Sequence, residues 1–358
     1  MAGRVRVRLL AGVLAAALVF TACTVRRTPV GLGPPFLRVA RVTRVSDAAA
    51  SSPPTWSPQG RLLAFGTDDA VWQVRPDGTG ARRLAALPRV TEVAWAPGGR
   101  SLAVVSAGTL YTVGLDGLPP AAVSTAAGVH LVTWAPRDAR LAYVVSGGDH
   151  DEIATWQAGS DGRRARSVSA PLPPGFAVQT VAWSPDGRDL VLALARQGGA
   201  ASTRLLRIAV SALHPVAIPF GWRDTMAGPA FDPLGRFVAY VGGSPDAARE
   251  VRGQIVAVRL DGTGRRTLTP AGAYTGLSWA PSGTAVAFGE VIAPNETSVE
   301  VVDVTTGARL RIADYRPEIV EYARALVTRW APDGLGLAFG TDTADGRGPV
   351  WVATLERR

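Results

Sequence analysis

The sequence has 358 residues, of which 47% are hydrophobic, and this excludes a chain with too little apolar material to fold. Its 40 glycines and 27 prolines favour many short strands and tight turns over long helices. The formal net charge is +9, and every basic residue is an arginine. Because these arginines are scattered singly and form no stripe, the charge does not predict a nucleic-acid partner.

The N-terminal segment has the pattern of an export signal. Three arginines precede an apolar stretch over residues 9–20, and about a dozen apolar residues are too few to span the roughly 30 Å hydrocarbon layer of a membrane. The sequence Thr21-Ala22-Cys23 follows, and Cys23 is the one cysteine of the chain. A single cysteine forms no internal disulfide, so its position directly after the apolar stretch is informative.

This segment resembles the lipobox of bacterial lipoproteins, with Phe20 in the position where leucine is usual. The resemblance implies that Cys23 is acylated and becomes the mature N-terminus. We therefore expect a signal peptide over residues 1–22, followed by the lipidated cysteine and a tether over residues 23–35. The alternative is an ordinary secretory signal in which the cysteine is incidental.

The rest of the chain is built from one repeated pattern, Trp-(Ser/Ala)-Pro, in which a glycine usually stands four positions after the tryptophan. Six copies begin at Trp56, Trp95, Trp134, Trp183, Trp279 and Trp330, and Phe231 begins a seventh, degenerate copy. The copies are 39, 39, 49, 48, 48 and 51 residues apart. The third copy has Asp138 in place of the glycine, a residue that tolerates a positive φ better than most.

Each copy predicts four antiparallel strands. One strand ends at the tryptophan, the Pro and Gly turn leads into a second, and a third runs into an Asp-Gly turn such as Asp77-Gly78 before a fourth. Seven copies arranged radially predict a β-propeller. The last copy stops after its third strand, and residues 37–42 are similar to the fourth strands elsewhere. We therefore expect an all-β, seven-bladed propeller over residues 36–358, closed by an N-terminal strand that completes the last blade.

The motif Trp183-Ser184-Pro185-Asp186-Gly187-Arg188, followed by an apolar strand and a late Asp-Gly, resembles the repeat of the TolB-type propeller, which is often described as WD40-like. The resemblance covers residues 36–358 and implies the propeller fold. It concerns the repeat and not the Tol–Pal component as a whole, because TolB has an extra N-terminal domain and six blades.

Catalytic motifs are missing from the sequence. It has no Gly-x-Ser-x-Gly nucleophile elbow, and its histidines, His130, His150 and His214, fall at different points of different repeats. The acidic run over residues 149–152 is interpreted as solvated loop charge. We expect no enzymatic activity, no metal and no cofactor.

The predicted loops differ between the two ends of the blades. The turns after first and third strands are nearly uniform, whereas the loops after second strands and the links between blades vary, including residues 289–298. Variable loops on a uniform scaffold are typical of a binding surface. Trp222, beside Arg223 and Asp224, is the one tryptophan without a repeat-derived role, and a Trp–Arg pair has the composition of an interface hot spot. Capping of the fourth blade is the alternative role for Trp222.

Two further groups are candidates. A short helix predicted near Pro317 would present Tyr315, Tyr322 and Arg324 at the channel mouth. Four polar residues precede motif tryptophans on strands expected to line the channel; they are Glu92, His130, Gln179 and Arg329.

The favoured function is a monomeric, membrane-anchored envelope lipoprotein that faces the periplasm or the cell exterior. Its propeller would be a rigid platform for a protein or envelope ligand. The alternatives are a carbohydrate-active enzyme or sugar-binding protein that uses the channel, and a propeller subunit of a separately encoded hydrolase.

Overall fold

A computed structural model describes residues 37–46, 49–124, 127–147, 150–157, 166–197, 203–212, 215–218, 226–243, 252–293, 296–315, 325–342 and 348–358. Within these ranges the chain forms 28 β-strands and no helix. The first strand, β1 (Leu37–Arg44), belongs to the sheet of the last strands.

Four sheets of four antiparallel strands follow one another along the chain. Sheet I contains β2 (Thr55–Trp56), β3 (Leu63–Gly66), β4 (Ala70–Val74) and β5 (Arg82–Ala86). Sheet II contains β6 (Val90–Trp95), β7 (Ser101–Ser106), β8 (Thr109–Gly114) and β9 (Ala121–Ala122). Sheet III contains β10 (Val129–Trp134), β11 (Arg140–Ser146), β12 (Asp151–Gln157) and β13 (Arg166–Pro171). Sheet IV contains β14 (Phe176–Trp183), β15 (Asp189–Arg196), β16 (Thr203–Ala209) and β17 (Pro215–Ala217).

The next two copies of the motif share one eight-stranded sheet, sheet V. Its strands are β18 (Met226–Phe231), β19 (Phe237–Gly242), β20 (Arg252–Arg259), β21 (Arg266–Thr267), β22 (Gly272–Trp279), β23 (Ala285–Ala293), β24 (Glu296–Asp303) and β25 (Arg309–Tyr315). The two halves are joined where β20 pairs with β22, through Arg252 with Ala273 and Gly253 with Gly272.

Sheet VI contains the last three strands and the first. It consists of β26 (Ala325–Trp330), β27 (Gly336–Asp342), β28 (Val350–Arg357) and β1. Strand β1 runs antiparallel to β28, from Leu37 opposite Arg357 to Arg44 opposite Trp351. The N-terminal strand therefore lies at the outer edge of the sheet that ends the chain.

The motif turn has the local geometry that its sequence predicts. In the first copy the Gly60 N–H donates to the Ser57 carbonyl at 2.8 Å, and Gly60 has a φ of 69°. Only glycine adopts this φ without strain, and the motif glycines of the five other copies share it. Asp138 does not have a positive φ; its carboxylate instead accepts the Arg140 N–H at 3.0 Å and pairs with the Arg140 guanidinium. The expectation for Asp138 was wrong, because a side-chain hydrogen bond replaces the glycine conformation.

The hydrophobic core lies between neighbouring repeats. Buried side chains of the described residues form seven clusters, and each cluster joins residues of two consecutive motif copies. One cluster joins the last repeat to the first, because Val350 and Val352 of β28 pack with Trp56 and Leu63 of sheet I. The second strands of the sheets are thus buried on both faces, as in stacked radial sheets.

The motif tryptophans also connect neighbouring repeats by hydrogen bonds. Each indole N–H donates to the main-chain carbonyl of the residue that precedes the motif aromatic of the previous repeat. The pairs are Trp56 with Arg329 at 3.0 Å, Trp95 with Thr55 at 3.2 Å, Trp134 with Ala94 at 3.1 Å, Trp183 with Thr133 at 3.2 Å, Trp279 with Ala230 at 2.9 Å and Trp330 with Ser278 at 3.3 Å. The side chain of Phe231 has no N–H group, so this bond is missing in one repeat. The motif tryptophans therefore pack between neighbouring sheets.

The tryptophans on third strands behave differently. The indole nitrogens of Trp72, Trp156 and Trp351 are buried and have no hydrogen-bond acceptor among the described residues. These side chains therefore contribute apolar packing, and their N–H groups do not connect repeats.

One predicted loop is wrong. Residues 289–298 were expected to form a long loop, but β23 continues to Ala293 and β24 begins at Glu296. Pairs such as Glu290 with Ser298 and Val291 with Thr297 extend the hairpin instead.

We expect Trp56→Phe to lower the free energy of unfolding by about 1–3 kcal/mol more than Trp72→Phe. Both changes remove an indole from sheet I, but only the Trp56 N–H has an acceptor, so only Trp56→Phe leaves a carbonyl without its donor. Equilibrium urea unfolding of the two single variants measures the difference. Equal losses would contradict a stabilising role of the indole bond.

Candidate functional site

The first strands of five of the seven repeats line a central cavity of about 480 Å³. Residues of β2, β6, β10, β14 and β26 form its wall. The polar residues in this wall are Thr55, Thr91, Glu92, Thr133, Thr180 and Arg329. Two of the four predicted channel residues, Glu92 and Arg329, therefore line the cavity.

The first strands are interrupted by β-bulges just before the motif aromatic. The register shifts in β6, β10, β14, β18 and β22. In three strands the residue three positions before the aromatic has a positive φ, namely 53° for Leu131, 54° for Gly228 and 62° for Gly276. This region costs a residue with a side chain roughly 1–2 kcal/mol, so Leu131 is strained where the other two strands use glycine.

The Glu92 side chain stabilises this strained bulge. Its Oε1 atom accepts the Leu131 N–H at 2.6 Å and its Oε2 atom accepts the Val132 N–H at 2.9 Å. Hydrogen bonds from N–H groups to a carboxylate are about twice as strong as neutral ones. Glu92 therefore connects the first strand of sheet II to that of sheet III, and both of its oxygens already have a donor.

Arg329 is the second charged residue of the wall. Its Nη1 atom donates to the Thr328 carbonyl at 2.9 Å, and its side chain is exposed in the cavity. Protein surrounds the guanidinium closely enough that loss of hydration lowers the pKa of Arg329 from its ordinary value, and the Glu92 carboxylate partly offsets this shift. Arginine remains charged at neutral pH in proteins, so the cavity contains a positive charge.

His130 lies at one end of β10, beside Ser146 and Asp151. Its Nδ1 atom is 3.2 Å from the Gly128 carbonyl and 3.3 Å from the Ser146 hydroxyl, and its Nε2 atom is 4.0 Å from Asp151. The Gly128 carbonyl can only accept, whereas the Ser146 hydroxyl can donate or accept, so the roles in these two contacts of Nδ1 depend on the tautomer of the ring.

Asp151 is not the solvated loop residue that was expected. It is 6% exposed, begins β12, and accepts the Val178 N–H at 2.9 Å. Val178 directly precedes the bulge of β14, where Gln179 is the extra residue. Gln179 is exposed and lies outside the wall of the cavity, as does His130.

The binding candidates of the variable loops lie mostly outside the described residues. The candidates outside the described residues are Trp222, Arg223, Asp224, Tyr322 and Arg324. The predicted lipidation site, Cys23, also lies outside them. Tyr315 is the last residue of β25, and its backbone pairs with Thr297.

Several features of the site were missed from the sequence. Two of the four threonines of the wall, Thr55 and Thr133, directly precede a motif tryptophan, as Arg329 does. That position could have been found by aligning the seven copies. The contacts of Glu92 and Asp151 with the next repeat have no equivalent in the sequence pattern.

Within the described ranges, no group of three or more His, Cys, Asp or Glu side chains could hold a metal ion. None of the described segments is a helix long and apolar enough to cross a membrane.

No family model matches the sequence, and no curated protein matches it significantly. Solved structures do match. TolB from Acinetobacter baumannii is 15% identical with a TM-score of 0.50, over 75% of this chain and 64% of that one. The chain thus spans less than two thirds of the length of that TolB.

Two other structures match over most of their length. The Cps50 (Swd1) β-propeller domain of Myceliophteria thermophila is 16% identical with a TM-score of 0.58, over 86% of this chain and 98% of that one. A chain of a Mitotic Checkpoint Complex structure is 17% identical with a TM-score of 0.58, over 97% of this chain and 99% of that one. The protein is therefore a TolB-like and WD40-like β-propeller.

Glu92→Gln should lower the free energy of unfolding by about 1–3 kcal/mol, because an amide accepts only one of the two backbone N–H groups and presents its own N–H₂ to the other. Thermal and urea unfolding measure the loss. Glu356→Gln is the matched control, since its exposed pair with Arg38 should contribute less than about 1 kcal/mol. If both variants unfold alike, Glu92 does not hold the bulge.

Proposed function

We propose that this protein is a non-catalytic cell-envelope lipoprotein whose propeller is a rigid platform for a protein or other envelope ligand. The observation that carries the proposal is the difference between the two ends of the sheets. The turns after first strands share one geometry in six repeats. The connections after second strands differ in length, from the short link over residues 107–108 to the long one over residues 243–251. Ligand-binding residues concentrate in variable loops that a rigid scaffold positions.

We infer that the scaffold has seven blades, with sheet V contributing two, and that β1 closes it. Three features support this inference: the pairing of β1 with β28, the bond from Trp56 to the Arg329 carbonyl, and the cluster in which β28 packs on sheet I. A scaffold joined at both chain ends protects its sheet edges and presents its loops in fixed positions.

We further propose that residues 1–22 direct export and that lipidated Cys23 holds the propeller at a membrane, facing the periplasm or the cell exterior. Residues 24–35 would then be a tether that reaches at most about 40 Å when extended. A monomeric propeller on so short a tether would meet partners close to the membrane surface.

The partner surface that we propose is the variable end of the sheets. Trp222, Arg223 and Asp224 lie between β17 and β18, and Tyr322 and Arg324 lie between β25 and β26. Both segments link a fourth strand to the next first strand, and in antiparallel sheets such links leave from the same end as the loops after second strands. Aromatic and arginine side chains dominate the binding energy of protein interfaces.

Trp222→Ala should weaken partner binding by about 2 kcal/mol, or roughly thirtyfold, while leaving the melting temperature unchanged. The partner is captured from membranes with the full-length anchored protein, identified, purified, and then titrated with wild type and variant. A buried tryptophan would instead cost roughly 3–5 kcal/mol of stability when truncated, so a large drop in melting temperature would show that Trp222 is structural.

Two control variants accompany the measurement of stability and partner binding. Trp95→Ala removes a tryptophan that donates between repeats and should lower the melting temperature. Leu118→Ala removes a side chain that is 66% exposed in the turn between β8 and β9, at the uniform end, and should change neither stability nor binding. A partner whose affinity falls equally with Leu118→Ala and Trp222→Ala would not bind through the variable end.

Cys23→Ser should release the protein from the membrane fraction or leave its signal uncleaved, because serine cannot form the thioether that carries the lipid. Metabolic labelling with a fatty-acid analogue, followed by fractionation, measures both effects. Thr24→Ser keeps the cysteine and should stay labelled and membrane-bound. A wild-type protein that takes up no label would overturn the lipid anchor.

A further inference from the structure

The residue directly before the motif aromatic has one role that the repeats share, and its main-chain carbonyl performs that role. Across the seven repeats this position is occupied by Thr55, Ala94, Thr133, Ala182, Ala230, Ser278 and Arg329. The main-chain carbonyl accepts the indole N–H of the next repeat in six cases, Arg329 included. Six of the seven side chains are small and uncharged, so the repeat does not need the long cationic side chain of Arg329.

The guanidinium of Arg329 also has no carboxylate partner within ion-pair distance among the described residues. The guanidinium donates from Nη1 to the neutral Thr328 carbonyl, which orients the side chain. Glu92 is the other charged residue of the wall. Its two oxygens accept the Leu131 and Val132 N–H groups, so its carboxylate acts on Arg329 through its charge and not through an ion-pair contact. The remaining N–H groups of Arg329 are thus open to a ligand in the cavity.

The surroundings of Arg329 suit an organic anion better than a simple ion. Thr55, Thr91 and Thr133 supply hydroxyl groups to the wall, while Pro53 and Val181 supply apolar surface. The volume of about 480 Å³ falls within the range of roughly 300–1,000 Å³ that is typical of small-molecule pockets. A single planar guanidinium matches one carboxylate in charge and in bidentate geometry, whereas a doubly charged phosphate would lack a second cation.

We propose that the central cavity binds the carboxylate of a small organic monoanion with an apolar body, and that Arg329 is the residue that binds the carboxylate. This site is separate from the variable loops, so it stands whether or not those loops bind a partner. It also differs from the sugar site considered for the channel, because its specificity comes from charge.

The proposal is tested with the purified full-length protein and a matched pair of probes, benzoate and benzamide, which share shape and differ in charge. Ligand-observed NMR titration should show saturable binding of benzoate and at least tenfold weaker binding of benzamide. Arg329→Gln should weaken benzoate binding at least tenfold, and Arg329→Lys should retain part of it, because the point charge remains without the planar fork. Raising the salt concentration should weaken benzoate binding alone.

Arg188→Gln is the charge-matched control, since the Arg188 side chain is 85% exposed in the turn after β14. It should bind benzoate like the wild type.

Arg329→Gln should keep the wild-type melting temperature, because the carbonyl that accepts the Trp56 indole belongs to the main chain. Equal binding of benzoate and benzamide, unchanged affinity in Arg329→Gln, or no binding of benzoate, phenylacetate or hexanoate would each overturn the proposal. Trp222→Ala should leave benzoate binding intact, so this test and that of the loop surface fail independently.

Discussion

The hydrogen bond from a motif tryptophan to the previous repeat fixes the relation between neighbouring sheets. Each acceptor carbonyl belongs to the residue one position before the motif aromatic of its own repeat. One hydrogen bond therefore fixes the position of one first strand relative to the neighbouring first strand. The indole ring also fills the space between the two sheets, which removes apolar surface from water at the point where the bond forms. The Trp56 bond applies the same rule between the last repeat and the first, although 273 positions of sequence separate its residues.

The repeat that begins at Phe231 shows what happens without this bond. Phe231 cannot donate to the previous repeat, and there the contact consists of apolar side chains that include the fully buried Tyr240. On its other side the same repeat is joined to the next by the pairing of β20 with β22, an arrangement not seen between the other described sheets. Backbone pairing on one side thus accompanies the loss of the indole bond on the other.

The same geometry gives polar residues in or near the first strands two different roles. Glu92, Asp151 and Thr328 each bond to the main chain of a neighbouring first strand at or beside its bulge, through Leu131, Val178 and Gly276. These side chains support the scaffold. Arg329 is different, because its main chain serves the scaffold and its side chain does not. The side chain of Arg329 can therefore set the chemistry of the cavity without taking part in the contacts between sheets.

The sequence by itself determined the local features of this protein. The repeat register and the motif turns follow from residues a few positions apart, because φ preferences, turn hydrogen bonds and side-chain alternation act over short distances. Only the tertiary structure decided which polar groups remain free. Glu92 bonds to residues 39 and 40 positions away and Asp151 to one 27 positions away, and the repeat pattern carries no information on these pairs. From sequence alone, an acidic residue is predicted to be exposed to solvent. It becomes buried here because a neighbouring bulged strand has backbone N–H groups that need an acceptor, and the two strands are adjacent only in the folded protein.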